Sequence, residues 1–227
     1  MMKVARFFLY ICIVCFSSCP SKACRENYSY DLHVPVTLSP AKTDYQVGDT
    51  LFFEAIMPKS ILNGFTNRFE TILDQDVTHR SWVTRVDGPE GGSTLDAFMY
   101  IRVLTEGSIG DLSIEGFVDN NNVIGQYQQV GDNEFKIAYR FVLLQPGVFW
   151  FRIGPFYEDE GQRAEDPIVL AEECRRGSIT IYHQMNGGAD NNFSLICESG
   201  LYCTTLTETN RQFSFDRDGG YVFRVTE

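Results

Sequence analysis

The sequence has few basic residues and no long apolar segment. It carries 19 Lys and Arg against 30 Asp and Glu, a formal net charge of -11. Such a surface repels phosphate backbones and anionic lipid headgroups, which argues against nucleic-acid binding and against electrostatic adhesion to a membrane. The apolar run at residues 7–16 is too short for a transmembrane helix, which needs about 20 residues.

Motifs for metal binding and catalysis are also missing. The three histidines, His33, His79 and His183, lie far apart, and no H-E-x-x-H occurs, so we predict no metal site. Ser108 in EGSIG lacks the G-x-S-x-G spacing, and GPEGGS lacks the Lys-Ser/Thr end of a phosphate-binding loop. The sequence therefore predicts no catalytic residue, no cofactor and no enzymatic activity.

The first residues predict an export signal. Lys3 and Arg6 form a short basic region, and the apolar run at 7–16 has the length of a signal-peptide core. The stretch FSSC that follows resembles a bacterial lipobox, in which Cys19 would be acylated and begin the mature chain. We favour cleavage before Cys19, and cleavage after Ala23 is the alternative. The protein would then reach a membrane only through its N-terminal lipid.

Cysteine usage predicts disulfide bonds. Either cleavage leaves an even set in an exported chain: Cys24, Cys174, Cys197 and Cys203. We predict two disulfides among these four cysteines, which allow three connectivities. The shortest candidate joins Cys197 to Cys203 across ESGLY.

Strand patterns dominate the body of the chain. Hydrophobic residues make up 44% and aromatic residues 14%, enough to bury a core. Apolar residues alternate in EFKIAYRFVLLQ (134–145), and VFWFRI (148–153) follows Gln-Pro-Gly, so the pair predicts a β-hairpin. Turn clusters such as VDNNN (118–122) separate further strand-like runs, among them NFSLIC (192–197). The pattern predicts a mainly β, antiparallel β-sandwich.

One short helix is predicted after an acidic linker. Asp166 can cap it, Pro167 suits its first position, and IVLAEECRR continues to Gly177. The predicted organisation is a signal peptide at 1–18, a tether at 19–29, a sandwich domain at 30–155, an acidic linker at 156–166, and a helix with a disulfide-containing C-terminal β segment at 167–227. That last segment is either part of the same body or a small subdomain.

Two stretches carry a family resemblance. PAKTDYQVGDTLFFEA (40–55) and LLQPGVFWFRI (143–153) resemble the strand and turn patterns of bacterial Ig-like sandwich proteins of the cell envelope. The resemblance spans about residues 36–155. It implies an Ig-like sandwich, binding rather than catalysis, and placement at the outer membrane or cell surface, or otherwise in the periplasm or outside the cell. It assigns no functional residue.

Aromatic residues are the remaining functional lead. Trp82 and Trp150 lie in predicted strands, where an exposed ring can stack on a sugar or anchor a protein partner. The same rings pack in the core if they are buried. Trp150 shares parity with Arg152 and lies opposite Phe149 and Phe151 along the strand, so it faces away from a core built on the phenylalanines.

Two functions follow from these observations. The sequence favours an exported, lipid-anchored envelope module that binds an unknown protein or glycan at the cell surface, or has a structural role, without catalysis. The alternative is a secreted carbohydrate-binding or carbohydrate-active protein, because an acidic chain offers many carboxylate pairs.

Overall fold

The residues that the structure describes form two β-sheets and one short α-helix. A computed structural model describes residues 28–64, 66–73, 78–87, 100–117, 120–154, 169–170, 177–188, 191–199, 215 and 219–227. The 3-10 turn spans Asn186–Gly188 and helix α1 spans Ser194–Ser199. The strands are β1 Tyr28–Ser39, β2 Asp44–Gln46, β3 Thr50–Pro58, β4 Ser60–Asn63, β5 Arg68–Leu73, β6 Thr78–Arg85, β7 Ile101–Ile109, β8 Asp111–Phe117, β9 Asn120–Gln126, β10 Gln128–Val130, β11 Glu134–Leu143, β12 Gly147–Ile153, β13 Val169–Leu170, β14 Gly177–Met185 and β15 Tyr221–Thr226.

Sheet 1 is built around β11, β3 and β1. β11 pairs antiparallel with β3 from Glu134 opposite Pro58 to Val142 opposite Thr50, and β3 pairs antiparallel with β1. β7 and β10 pair with β11, while β14 runs parallel to β1. β4, β5 and β13 extend the sheet beyond β1.

Sheet 2 has the strand order β2-β15-β12-β6-β9-β8. β12 lies between β15 and β6 and is antiparallel to both, whereas β15 runs parallel to β2. Strands from residue 177 onward therefore take part in both sheets, β14 in the first and β15 in the second.

The core lies between the two sheets. Phe141 of sheet 1 stacks on Phe151 of sheet 2 with ring centroids 5.8 Å apart. Phe53 of sheet 1 also contacts the Phe151 ring, at 5.5 Å. The predicted alternation in β11 is confirmed, because one parity of the strand is buried: Phe135, Ile137, Tyr139, Phe141 and Leu143. The structure confirms a mainly β sandwich, and the finer Ig-like assignment stays a prediction.

A second apolar cluster lies on the outer face of sheet 2, beneath α1. Trp150 of β12 stacks on Phe215, with ring centroids 5.7 Å apart and planes 5° apart. Arg224 of β15 donates to Glu198 of α1 at 2.9 Å and so connects the helix to the sheet. The cluster consists of Val86, Val148, Trp150, Leu195, Ile196, Phe215 and Val222.

The predicted hairpin between residues 134–145 and 148–153 is wrong. β11 pairs with strands of sheet 1, and β12 pairs with strands of sheet 2, so the turn between them crosses from one sheet to the other. The two strands meet face to face through Phe141 and Phe151 rather than edge to edge. Alternating aromatic residues suit either arrangement, because each strand needs only one apolar face.

The helix is also at a different place from the predicted one. Val169 and Leu170, within the predicted helix, form β13 and pair with Leu73 and Ile72 of β5, because sheet pairing overrides local helix signals. Residues 171–176 of that prediction lie outside the described residues. Residues 194–197 of NFSLIC, predicted as part of a strand, form the first part of α1 instead. In the part of the chain that the structure describes, no helix has the length and apolar character needed to span a bilayer.

Three smaller predictions need correction. Asn120–Asn122, predicted as a turn, lie in β9, whose pairing with both β6 and β8 outweighs the turn preference of asparagine. The sheets are mixed rather than purely antiparallel, because β1 with β14 and β2 with β15 are parallel pairs. β1 begins at Tyr28, so the last two residues of the predicted tether belong to a strand.

Candidate binding site

Trp82 lies on the outer face of sheet 2. Along β6, Ser81 and Val83 point into the core and are 1% exposed, so Arg80 and Trp82 point outward on the other parity. Both outward residues are partly exposed. The register between β6 and β12 places Trp82 directly opposite Arg152.

Two arginines lie over the Trp82 ring. The guanidinium carbon of Arg80 is 5.4 Å from the ring centroid, and that of Arg152 is 5.2 Å away. The ring also covers the backbone of Gly154, where a Cβ atom would lie 2.3 Å from Trp82 Cζ3. Each contact of this cation–π type contributes about 0.5–2 kcal/mol, the larger value where water is excluded.

Arg152 connects Trp82 to the apolar cluster beneath α1. Arg152 Cζ lies 4.9 Å from the Trp150 ring, whose neighbour Phe215 makes an edge contact with Phe193 at 5.0 Å. Trp150 is 6% exposed, whereas Arg152 is partly exposed. We call Trp150, Arg152, Trp82 and Arg80 the Trp–Arg ladder. It runs from the buried cluster to the surface of the sheet.

The ladder concentrates positive charge on an acidic protein. A guanidinium group carries a positive charge and presents five N–H donors in one plane. Each guanidinium group of the ladder is held over an aromatic ring. The arrangement therefore suits recognition of an anionic group by directed hydrogen bonds.

Two of the four ladder residues were predicted from the sequence. Trp82 and Trp150 were predicted as ligand-binding residues, and the structure brings them together through Arg152, with Trp150 buried and Trp82 partly exposed. Whether either residue binds a ligand stays a prediction. The arginines were missed, although Arg80-Ser81-Trp82 and Trp150-Phe151-Arg152 place each arginine on the same strand face as its tryptophan.

Of the cysteines, only Cys197 lies within the described residues, in the last turn of α1. Its predicted pairing with Cys203 stays a prediction, because Cys203 lies outside the described residues. The same holds for the lipidation of Cys19 and for the predicted disulfide partners Cys24 and Cys174.

A polar cluster inside the sandwich is the second candidate for chemistry. His79 Nε2 lies 3.4 Å from the hydroxyl of Tyr139, which also shares a hydrogen bond with Ser81 Oγ. His79 is 3% exposed, and the other two residues are 1% exposed. Serine beside histidine is the arrangement of a nucleophile and a base, but no substrate reaches groups buried to this extent.

Burial also sets the charge of the interior histidines. It lowers the pKa of His79 from its ordinary value to about 3, with a smaller contribution from the nearby His183. Burial likewise lowers the pKa of His183 to about 4. Both imidazoles are therefore neutral at physiological pH. The described ranges contain no group of three or more His, Cys, Asp or Glu side chains that could hold a metal ion.

Comparison with known proteins gives only distant similarities. The sequence matches no family model and no curated protein. A type II cohesin dyad from the adaptor ScaA scaffoldin of Acetivibrio cellulolyticus is 10% identical with a TM-score of 0.29, over 66% of this chain and 46% of the dyad. The chain thus spans less than half of the length of that dyad.

Two further solved structures are similar at the same level. A non-cellulosomal cohesin from Archaeoglobus fulgidus is 8% identical with a TM-score of 0.31, over 86% of this chain and 92% of that one. A type II cohesin domain from the cellulosome of A. cellulolyticus is 10% identical with a TM-score of 0.30, over 66% and 91%. Similarities this low carry no argument about what the chain does.

Proposed function

We propose that the protein is an exported, lipid-anchored envelope module that binds its ligand without catalysis, at the outer face of sheet 2. One observation carries the proposal. Trp82 is a partly exposed ring on a sheet face, held by two guanidinium groups and by the backbone of Gly154. Aromatic and arginine side chains that are fixed before binding lose little entropy on association, and they dominate the energy of protein interfaces.

A binding screen with a matched aromatic control tests this function. The mature protein is applied to a glycan array and to a displayed peptide library, and Trp82→Ala is compared with Phe69→Ala. Phe69 is 72% exposed and lies on β5 in sheet 1, whereas the ladder lies on β6 and β12 in sheet 2. We expect binding that Trp82→Ala abolishes and Phe69→Ala retains. Equal binding by both variants, or no binding at all, would contradict the proposal.

The second candidate is a secreted carbohydrate-binding or carbohydrate-active protein. The partly exposed ring of Trp82 favours it, since aromatic rings on sheet faces can stack on sugars. A panel of glycoside hydrolase substrates separates the two candidates. Turnover that is lost on substitution of a single Asp or Glu would establish catalysis and reject the first candidate.

The lipid anchor rests on FSSC at residues 16–19. Each buried CH₂ of an acyl chain contributes about 0.8 kcal/mol to membrane binding, and stable attachment takes more than one chain. A Cys19→Ala variant expressed in its native cell type should leave the detergent phase that the parent occupies. A parent with Cys24 as its mature N-terminus would show instead that cleavage follows Ala23.

We propose two disulfides among Cys24, Cys174, Cys197 and Cys203. Each would stabilise the fold by about 2–4 kcal/mol. Mass spectrometry of the unreduced exported protein identifies the linked peptides. Four alkylatable thiols in exported material would refute the proposal.

A further inference from the structure

We propose that the ladder binds an extended acidic segment of a protein partner, with two of its carboxylates on Arg80 and Arg152. The inference rests on the proposed function, because it names the ligand of the same site. It starts from the observation that two guanidinium groups are held at 5.4 and 5.2 Å from one indole ring.

The two arginines of the ladder have the chemistry to bind carboxylates. Arginine binds a carboxylate through two parallel N–H donors, and this geometry needs a guanidinium plane of fixed orientation. Arg80 and Arg152 both lie over Trp82, and Arg152 also lies over Trp150, so each guanidinium group is held against an aromatic ring. Because each guanidinium has five donors, it can bind a ligand while other donors hold groups of the protein.

The spacing suits alternate residues of an extended peptide. Side chains two residues apart on a strand point to the same side and are separated by about 6.8 Å at their backbone positions. Glutamate side chains extend several ångströms further, so carboxylates at alternate positions can reach guanidinium groups over the same ring.

The local positive charge of the two arginines favours an acidic ligand over a neutral one, although the net charge of the chain opposes it. The chain has a net charge of -11, so an acidic peptide is repelled at long range. At physiological ionic strength this repulsion is screened beyond about 8 Å, which leaves the local arginines to select the ligand. A neutral sugar gains less, because guanidinium groups already lie over the Trp82 ring on which it would stack.

Fluorescence anisotropy with labelled peptides tests the inference. The probes are a ten-residue peptide of alternating Glu and Ser, the same peptide with Gln in place of Glu, and an oligogalacturonate as an acidic glycan. The proteins are the parent, Arg80→Gln, Arg152→Gln, Arg152→Lys and the control Arg102→Gln. Arg102 is an exposed arginine on β7 of sheet 1. Circular dichroism and thermal unfolding establish that each variant is folded.

The expected pattern has three parts. The Glu-Ser peptide binds the parent, and the Gln-Ser peptide does not. Arg80→Gln and Arg152→Gln each weaken binding about tenfold or more, as expected for loss of a charged hydrogen-bonded pair, and Arg102→Gln leaves it unchanged. Arg152→Lys also weakens it, because an ammonium group lacks the planar donor pair.

Several results would overturn the inference. Binding of the Glu-Ser peptide that is equal in Arg152→Gln and Arg102→Gln would place the peptide elsewhere, and parent-like binding by Arg152→Lys would remove the planar contact. Tighter binding of oligogalacturonate, lost in the same variants, would reject the peptide ligand but leave the proposed binding function intact. Absence of binding to every probe would reject the peptide ligand, while the Trp82→Ala screen decides the proposed function separately.

Discussion

The two faces of β12 are covered by different chemistry. On the inner face, Phe149 and Phe151 pack against apolar rings of both sheets. On the outer face, Trp150 lies beneath α1, whereas Arg152 continues past the helix to Trp82 at the surface. The inner face contributes apolar volume to the core, and the outer face places arginines over tryptophan rings. One strand thus contributes to the core on one face and to a recognition surface on the other.

Removal of an inner ring should have the largest effect. Phe151 is 1% exposed and contacts Phe53 and Phe141. Because the neighbouring backbone cannot close the cavity, Phe151→Ala should lower the free energy of unfolding by about 3–5 kcal/mol. Urea denaturation measures the change, and Arg152→Met on the outer face is the control. A larger loss of unfolding free energy in Arg152→Met than in Phe151→Ala would show that the outer face contributes more to stability than the inner face.

The second-largest effect is expected from acid, which should lower the free energy of unfolding through the buried His79. The folded-state pKa of His79, about 3, lies below its ordinary value of 6.5. Above pH 6.5, His79 is neutral in both the folded and the unfolded protein, so pH does not change stability through this residue. Below it the unfolded state binds a proton that the folded state does not, so stability falls until the pH reaches about 3. The loss at pH 4 is about 3 kcal/mol for this histidine.

The acid prediction is tested by denaturation at pH 7 and pH 4. His79→Phe should retain an aromatic ring beside Phe53 and reduce the loss between the two pH values by about 3 kcal/mol. His33→Gln, at an exposed position, is the control. If His79→Phe loses as much stability as the parent between these pH values, another group causes the acid sensitivity.

The smallest effect is expected on the outer face, at Gly154. A Cβ atom there would lie 2.3 Å from Trp82 Cζ3, so Gly154→Ala should displace the ring and cost about 2 kcal/mol by overpacking. The emission maximum of tryptophan should move to longer wavelength as Trp82 enters water. In a Trp82→Ala background the same change should cost close to nothing, and an undiminished cost there would disprove the contact.

Local pattern predicted the inner face well and the outer face poorly. The alternation in β11 was sufficient to assign five buried residues, because burial of one strand face has a period of two. Alternation does not say which strand lies alongside, and the predicted hairpin of β11 with β12 failed for that reason. The ladder depends on the register that sets Trp82 opposite Arg152, and this register arises from long-range pairing.

Helix α1 was missed for a related reason. Leu195 and Ile196 are adjacent in the chain, and both belong to the cluster around Trp150. A strand would send adjacent side chains to opposite faces, whereas a helical turn can direct both toward one surface. The sequence shows two apolar neighbours in either case. The apolar surface around Trp150, which Leu195 and Ile196 cover, decides between a helix and a strand.

The parallel pairs have a consequence for the order of folding. β1 lies beside β14, and Leu38 N–H donates to Asn186 Oδ1, 148 residues further along the chain. β2 lies beside β15, and Arg224 donates to Asp44 across 180 residues. Closing loops of that length is slow. We expect a nascent chain to leave β1 and β2 without these neighbours until β14 and β15 have been synthesised, so the two sheets are completed late in the synthesis of the described residues.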